Sequence, residues 1–433
     1  VNKKVADIAG IGIGPFNLSI AALLKEIPAA EAVFFERKPR FDWHPGLMFR
    51  EARMQTSFLK DLVTAVRPTS PYSFVNYLVN TGKFYPFLSA SVETVGRQEF
   101  TDYMGWVTSQ LDTLRFGTDV QELQFVDDHF LVRTSTGAVR ARNVSLGSGR
   151  IPHIPEAVAS VVGDRCFHAI NILARKTNLA GARVAIVGGG QTGAEVFLNT
   201  VRNHWGTPRE VLWVSRRLNF EPLDETPFTN ELFMPDYVRM FHTLDAGRRR
   251  ALVEQQKLAG DGISPSTLRE IYRELYELRV SGDPKEVSLL PARDMIEVQK
   301  NGEELGITTH NRLDGSRERH TVDAIILCTG FVERLPAYLE PLQSRLHLDE
   351  HGRLQLGRAF DVQWDGPPDN RIYGLNLGRY SHGIAESQLS LAAWRSGVII
   401  NHLLGRPIFD VDASAGFVRW GSASEPQRQA FGA

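Results

Sequence analysis

The stretch Val187–Glu195, reading Val-Gly-Gly-Gly-Gln-Thr-Gly-Ala-Glu, limits what this chain can fold into more than any other part of it. Ahead of it Ala182 to Val187 is a run of β-formers, and behind it Ala194 to Val201 has helical spacing. Gly188, Gly190 and Gly193 therefore fall on a strand-to-helix turn, with Gln191 and Thr192 between them. In that context a G-x-G-x-x-G turn lets backbone approach a pyrophosphate, and the helix N-terminus offers free N–H groups to the anion. The following strand, Glu210 to Ser215, ends in Arg216 and Arg217, where an NAD site carries an acid. Guanidinium there welcomes a 2′-phosphate, which points to NADPH. The bland alternative, a glycine-rich turn with two solvated arginines, would not require strand, glycines, helix and basic second strand to agree.

A second turn of the same kind opens the chain. Val5 to Ile11 is an apolar strand that runs into Gly10-Ile-Gly-Ile-Gly-Pro-Phe-Asn17 and a helix from Leu18 to Leu24. Gly12 and Gly14 supply the tight turn and the close approach, Pro15 and Phe16 follow, and Asn17 stands where the third glycine would be. The next strand, Ala32 to Phe35, ends in Glu36, placed to accept from a ribose hydroxyl. Two dinucleotide turns of opposite preference, acidic first and basic second, imply electron transfer between two dinucleotides.

The fold expected is α/β, with two Rossmann-like dinucleotide-binding domains and a small helical insertion. Ile151-Pro-His-Ile-Pro155 reads as a crossover, since prolines so close exclude helix and central strand. Asn219 to Tyr237 is aromatic and proline-punctuated, and two helices follow, Ala246 to Leu258 and Ser266 to Val280, with Ser264 or Ser266 as a cap. Ala324 to Phe331 is an apolar strand ending in Thr-Gly, expected to return the chain to the first domain and set Gly330 near its ligand. These boundaries give a first domain of residues 1–155 and 325–433, a second of 156–218 and 286–324, and an insertion of 219–285 closing over the active site.

Composition narrows the class without naming it. With 433 residues, 42% hydrophobic content and a net charge of −1, the chain reads as an ordinary globular protein with no general affinity for nucleic acid or anionic membrane. Cys166 and Cys328 are remote from each other, so neither a zinc site nor the paired cysteines of a disulfide reductase are available, and no metal is expected. No apolar run is long enough to span a bilayer, Val1 to Gly10 reads as a charged start to a strand rather than a signal peptide, and a cytosolic enzyme is the expectation.

Two irregular stretches carry the remaining candidates. In Phe41 to Thr64, Trp43, His44, Met54 and Gln55 are suited to packing around a ring system. Lys60 lies among apolar and hydroxylic residues, where a cation needs a polar or anionic partner unless it snorkels to the surface. In the tail, a helix is expected from Ala385 to Leu404, with Glu386 and Ser387 in its first turn. Glu386 would there be either a ligand group or simple dipole compensation, and Ser390 either a ligand group or an ordinary buried hydroxyl.

These stretches together resemble the flavin-dependent N-hydroxylating monooxygenases of siderophore biosynthesis, over nearly the whole chain. The likeness rests on Gly10-Ile-Gly-Ile-Gly-Pro-Phe-Asn-Leu-Ser19, Met54-Gln-Thr-Ser-Phe-Leu-Lys-Asp-Leu-Val-Thr64, Gly188-Gly-Gly-Gln-Thr-Gly193, Asp224-Glu-Thr-Pro-Phe-Thr-Asn-Glu-Leu-Phe233 and His382-Gly-Ile-Ala-Glu-Ser-Gln-Leu-Ser390, in that order. Asp261-Gly-Ile-Ser264 is more similar to the lysine and diamine hydroxylases than to the ornithine ones. The resemblance implies FAD on the first domain and NADPH on the second: NADPH reduces the flavin, the flavin captures O2, and a neutral primary amine attacks the distal oxygen. It places Gln55 and Leu389 beside the flavin, and Lys60, Asn230 and Ser390 where amino-acid-using members hold the far end of the substrate. A lysine would offer Lys60 its carboxylate, whereas putrescine or cadaverine would offer Glu386 a second ammonium. Gly260-Asp-Gly stands where ornithine enzymes carry Asn-Tyr-Ser, so the favoured substrates are the diamines, with lysine next. The family is often tetrameric.

Overall fold

In the computed structural model, residues 5–28, 30–92, 94–412 and 416–421 are described. The ends of the expected first domain, 1–4 and 422–433, lie outside the described residues. Two sheets organise the rest. In a seven-stranded sheet, Leu114–Phe116, Ala32–Glu36, Val5–Ile11 and Gly137–Leu146 run parallel in that spatial order. Gly137–Leu146 is long enough to be shared: its second half also takes Ile372–Gly374 in parallel, and its first half an antiparallel ribbon of His129–Thr134 and Val120–Val126. The second sheet has five parallel strands, Glu286–Leu290, Glu210–Val214, Arg183–Val187, Ala324–Leu327 and Cys166–His168.

Parallel strands covered on both faces must be apolar throughout, and both glycine turns sit after such strands. Ile8 to Ile11 and Val184 to Val187 are buried without alternation, and each feeds a helix, Pro15–Lys25 and Gln191–Val201. Pro15 occupies the first helical position, where its missing N–H costs nothing. Separate cores lie behind the two units, one built on Leu18, Phe34, Phe74 and Tyr103, the other on Ile186, Phe197 and Trp213. A partly buried ion pair joins them: Arg97, on helix Arg97–Thr108 of the first unit, meets buried Glu195 of the second at 2.9 Å.

Three expectations are corrected here. Ala324–Leu327 pairs with Arg183–Val187 and so belongs to the second sheet; the chain returns at Phe331–Val332, which pairs with the outgoing Ile151–Pro152. A strand buried on both faces carries no mark of which sheet it joins, so sequence alone does not separate a boundary at 325 from one after Gly330. The tail helix runs only from Ala392 to Leu404, preceded by two short 3-10 turns, Ile384–Ser387 and Leu389–Leu391, with Gln388 extended between them. Glu386 is therefore outside the helix. Within the insertion, Pro235–Thr243 is a further helix that the prolines concealed, and Pro265–Ser281 packs Ile271 into the core of the second unit. From Arg293 the chain forms a three-stranded antiparallel ribbon, Arg293–Asn301, Glu304–Asn311 and Arg317–Val322.

Candidate active site

Both glycine turns open on one cleft of about 2450 Å³. Pockets for single drug-sized ligands run to roughly 1,000 Å³, so this one has room for two dinucleotides and a substrate. Each turn ends in a helix start with no side-chain cap, Gly14 before one and Gly190 before the other. Uncapped starts leave backbone N–H groups for a ligand, and here both sets face the same space. Gly12, at φ +83°, could not carry a Cβ, which would lie 2.6 Å from the Gly147 carbonyl oxygen. Gly188, at φ +135°, is closed in the same way by Cys328. At Gly14 and Gly190 the nearest atoms to a Cβ are 3.9 and 3.6 Å away, which leaves the cleft itself as the space such an atom would occupy. Gly193 does not wall the cleft: its Cβ position is filled by Gly188 and Trp213, so it serves close helix-to-strand packing.

The first turn is locked by its own side chains. Glu36 accepts from the Ile13 N–H at 3.0 Å and the Lys38 N–H at 3.0 Å, which fixes the carboxylate at the strand end and leaves it lone pairs for a ribose. Asn17, 1% exposed, replaces the third glycine by hydrogen bonding: its amide donates to Gly12 O at 2.7 Å and Ile11 O at 3.2 Å, and its Oδ1 accepts from Ser145 at 2.6 Å. Phe16 is backed by Arg395, whose guanidinium lies 3.9 Å from the ring centroid.

The second turn is open and cationic. Arg216, Arg217, Arg293 and Arg312 all line it. Arg217 donates to Gly189 O at 3.0 Å and Asp261 O at 2.9 Å, and Arg312 donates to Arg216 O at 2.8 Å. Arg293 is paired with Glu318 at 2.9 Å. Sequence reasoning missed Arg293 and Arg312, because they arrive on a ribbon far downstream, Arg312 96 residues from Arg216, whose pairing has no local signal. Gln191 accepts from the Ser264 N–H at 2.8 Å and donates to Glu195 at 3.0 Å, so the turn is also tied to the insertion and to the Arg97–Glu195 pair.

Where the two halves meet, Trp43, His44, Gln55, Gly330 and Leu389 line the cleft, as do Asn376 and Arg379, which sequence reasoning did not single out. Gln55 donates to Ser264 Oγ at 3.1 Å. His44 has a left-handed backbone at φ 51°. Its ring looks onto the open cleft but is crowded elsewhere, and burial, followed by the charges of Arg97 and Lys38, pushes its pKa down to about 4. The imidazole is thus neutral near pH 7.

Other candidates lie elsewhere. Met54 is 8% exposed, packed in the first core rather than on the cleft wall. Asn230 is exposed at the end of the short helix Pro227–Asn230, and Lys60 and Ser390 also stand off the wall. Ser390 is buried and its hydroxyl has no protein partner. Lys60 is half-buried, burial lowers its pKa, and among the described residues no acid pairs with it. Glu386 is the clearest correction. Its side chain is fully buried, its Oε1 accepts from Arg395 Nη1 at 2.6 Å and from the Asn376 N–H at 2.7 Å, and it does not reach the cleft. Starting the helix only at Ala392 is what lets Glu386 fold back onto Arg395.

Two dinucleotide turns of opposite charge on one cleft, with both cysteines free and buried, define an NADPH-dependent flavoprotein oxidoreductase that works without a redox disulfide. The chain belongs to the L-lysine 6-monooxygenase/L-ornithine 5-monooxygenase family, whose model matches residues 4–333. It is 42% identical over 425 residues to the L-lysine N6-monooxygenase of Escherichia coli, covering 98% of this chain and 100% of that protein. A FAD-bound cadaverine monooxygenase of desferrioxamine biosynthesis from Erwinia amylovora superposes with a TM-score of 0.92 at 28% identity, over 98% of this chain and 100% of the other. An ornithine N-hydroxylase from Kutzneria, with reduced FAD, NADP⁺ and L-ornithine, gives 0.84 at 28% identity, over 93% and 99%. The chain is accordingly a flavin N-monooxygenase that uses FAD and NADPH.

Proposed function

We propose that this enzyme hydroxylates the terminal amine of L-lysine, producing an N-hydroxylamine of the kind from which hydroxamate iron chelators are built. The observation that carries the substrate is the contrast between Lys60 and Glu386. Lys60, although it stands off the cleft wall, is a half-buried cation with no acid paired to it among the described residues, and burial lowers its pKa, so a substrate carboxylate would be its natural counter-charge. Glu386, the acid that a diamine's second ammonium would need, already holds Arg395 and the Asn376 N–H. The likeness to the lysine enzyme of Escherichia coli points the same way. Cadaverine or putrescine is the second reading, favoured by the likeness to the Erwinia cadaverine monooxygenase.

In this reading the unit 5–155 with the tail from Phe331 holds FAD, the unit from about 156 to 330 holds NADPH, and the insertion 219–285 covers the substrate. Bound flavin supplies hydride acceptance and oxygen activation. Gly12, Gly14 and the helix start at Pro15 would hold the FAD pyrophosphate, and Glu36 its ribose. Gly188, Gly190, Gln191 and Thr192 would hold the NADPH pyrophosphate, with Arg216 and Arg217 on the 2′-phosphate. Trp43, neutral His44, Gln55, Gly330 and Leu389 would border the flavin ring and keep water from it. Asn230 and Ser390 would join Lys60 at the far end of the substrate, as the family likeness implies. A homo-oligomer, tetrameric by family likeness, and a cytoplasmic setting complete the proposal; among the described residues no helix is long and apolar enough to cross a membrane.

The test is hydroxylamine formed per NADPH consumed, with lysine, ornithine, cadaverine and putrescine offered in parallel to FAD-loaded enzyme. Coupled product from lysine supports the reading. Coupled product from the diamines alone would transfer it to the second, and NADPH oxidation giving only hydrogen peroxide with all four would refute both.

A further inference from the structure

One short segment touches both sides of the cleft. Gly260 to Gly262 line it, and the chain there is pinned at Ile263, whose N–H donates to Glu221 O at 3.0 Å and whose carbonyl accepts from Leu223 at 2.7 Å. On the NADPH side, Arg217 holds Asp261 O at 2.9 Å, and Gln191 holds the Ser264 N–H at 2.8 Å. On the flavin side, Arg379 pairs with the Asp261 carboxylate at 3.0 Å, Gln388 donates to Gly260 O at 3.3 Å, and Gln55 donates to Ser264 Oγ at 3.1 Å. The Asp261–Arg379 pair is largely shielded, the two side chains being 35% and 15% exposed. Gly262 admits no side chain, since a Cβ would lie 2.3 Å from Leu223 Cα.

We propose that Gly260–Ser264 is a strap connecting the 2′-phosphate site to the flavin-side loop, with Asp261 and Arg379 as the positioning residues that latch it over bound NADP(H). The inference rests on the assignment of the second turn to NADPH. Arg217 already uses two donors, on Gly189 O and Asp261 O, leaving about three of a guanidinium's five N–H groups for a phosphate. A 2′-phosphate would therefore fix Arg217 without displacing the strap, and the fixed Arg217 would hold Asp261 O. Asp261 then passes the constraint through its carboxylate to Arg379, which itself lines the cleft beyond Asn376. Such coupling is reciprocal: a latched strap must tighten NADP⁺ binding by the same factor by which NADP⁺ favours the latched strap. NAD⁺, lacking the phosphate, would leave the strap as it is.

The experiment needs no turnover. FAD-loaded enzyme is saturated with adenosine 2′,5′-bisphosphate or with 5′-AMP, and hydrogen exchange is followed in residues 257–264, with the strand His129–Thr134, away from the cleft, as a reference. The strap inference predicts about tenfold slower exchange in 257–264 with the bisphosphate and no change with 5′-AMP. Asp261→Asn and Arg379→Gln should each abolish that protection and weaken bisphosphate binding by about fivefold, and the double variant should be no weaker than either single one, because both remove the same pair. Bound bisphosphate that leaves wild-type exchange unchanged overturns the strap, as do losses that add in the double variant. Bisphosphate binding no tighter than 5′-AMP would instead overturn the NADPH assignment, and the strap with it.

Discussion

The two glycine turns are built on one plan and finished in opposite ways. At the first, Glu36 and Asn17 bind the turn's own backbone, so the cradle is rigid before any ligand arrives and its charge is negative. At the second, the side chains that matter are arginines that reach across to other segments, Gly189, Asp261 and Arg216 supplying the carbonyls. A rigid cradle suits a cofactor that stays; an open, cationic one suits a substrate that must arrive, react and leave. The difference teaches that the side chain at the end of the second strand decides whether a turn is closed on its own backbone or tied to other segments, as well as which ribose it suits.

The sharpest break of this comparison is Gly12→Ala. With φ at +83° and the Gly147 carbonyl 2.6 Å from the new Cβ, the first cradle has no relaxation available. The flavin-to-protein ratio of purified enzyme should fall more than about tenfold. Gly14→Ala, where the nearest atom is 3.9 Å away, should give folded protein that binds FAD more weakly, and the reverse ranking would show that the cradle is misread. Next in size is Glu386→Gln, which leaves buried Arg395 without its counter-charge. Loss of one partner of such a pair costs about 3–5 kcal/mol, so the thermal midpoint should fall with little selective change in the Michaelis constant for a diamine. A normal midpoint with a raised diamine constant would restore Glu386 as a substrate acid.

Replacing both Arg216 and Arg217 with Ala bears on the second turn alone. The Michaelis constant for NADPH should rise by about a hundredfold and that for NADH by less than about threefold, since charge-assisted bonds to the 2′-phosphate are the ones lost. Lys60→Ala should raise the constant for lysine about tenfold while leaving putrescine unchanged or improved. Equal losses for the two amines would remove the carboxylate argument.

The smallest effect concerns acid. Crowding in the fold pushes the His44 pKa down from its ordinary value to about 4, although the ring is open to the cleft, so the unfolded chain takes up its proton first. Its stabilising contribution is complete above about pH 6.5 and is lost as pH falls through about 4. Between pH 7 and 4.5 the wild-type midpoint should drop further than that of His44→Asn, a change that keeps a residue tolerant of the left-handed backbone. Parallel curves would show that the shift has no weight.

What could be read from sequence was local chemistry. Glycines after an apolar strand, and the charge of Glu36 or Arg216–Arg217 at the next strand's end, mean the same thing wherever the chain goes, so the two-domain α/β reading, two dinucleotides and NADPH as one of them followed from these residues, while FAD came with the family resemblance. What could not be read was partnership across the fold. Glu386 looked like a free acid because nothing nearby in sequence announces that two 3-10 turns will set it on Arg395. Arg312 lies 96 residues from Arg216, and Ala324–Leu327 is apolar on every face, so neither shows its neighbour in advance. Met54 fits a ring-binding stretch by pattern, and only packing against the first core removes it from the cleft wall.

The contrast between the turns is tested most directly by bleaching the flavin of wild-type enzyme without oxygen, titrating NADPH against NADH and recording the rate of reduction at each concentration. A rigid acidic cradle for FAD beside an open basic one for NADPH predicts half-maximal reduction at an NADPH concentration about a hundredfold below that for NADH. Equal concentrations for the two nucleotides would contradict the assignment of the basic turn, and with it the account of how this cleft divides its work.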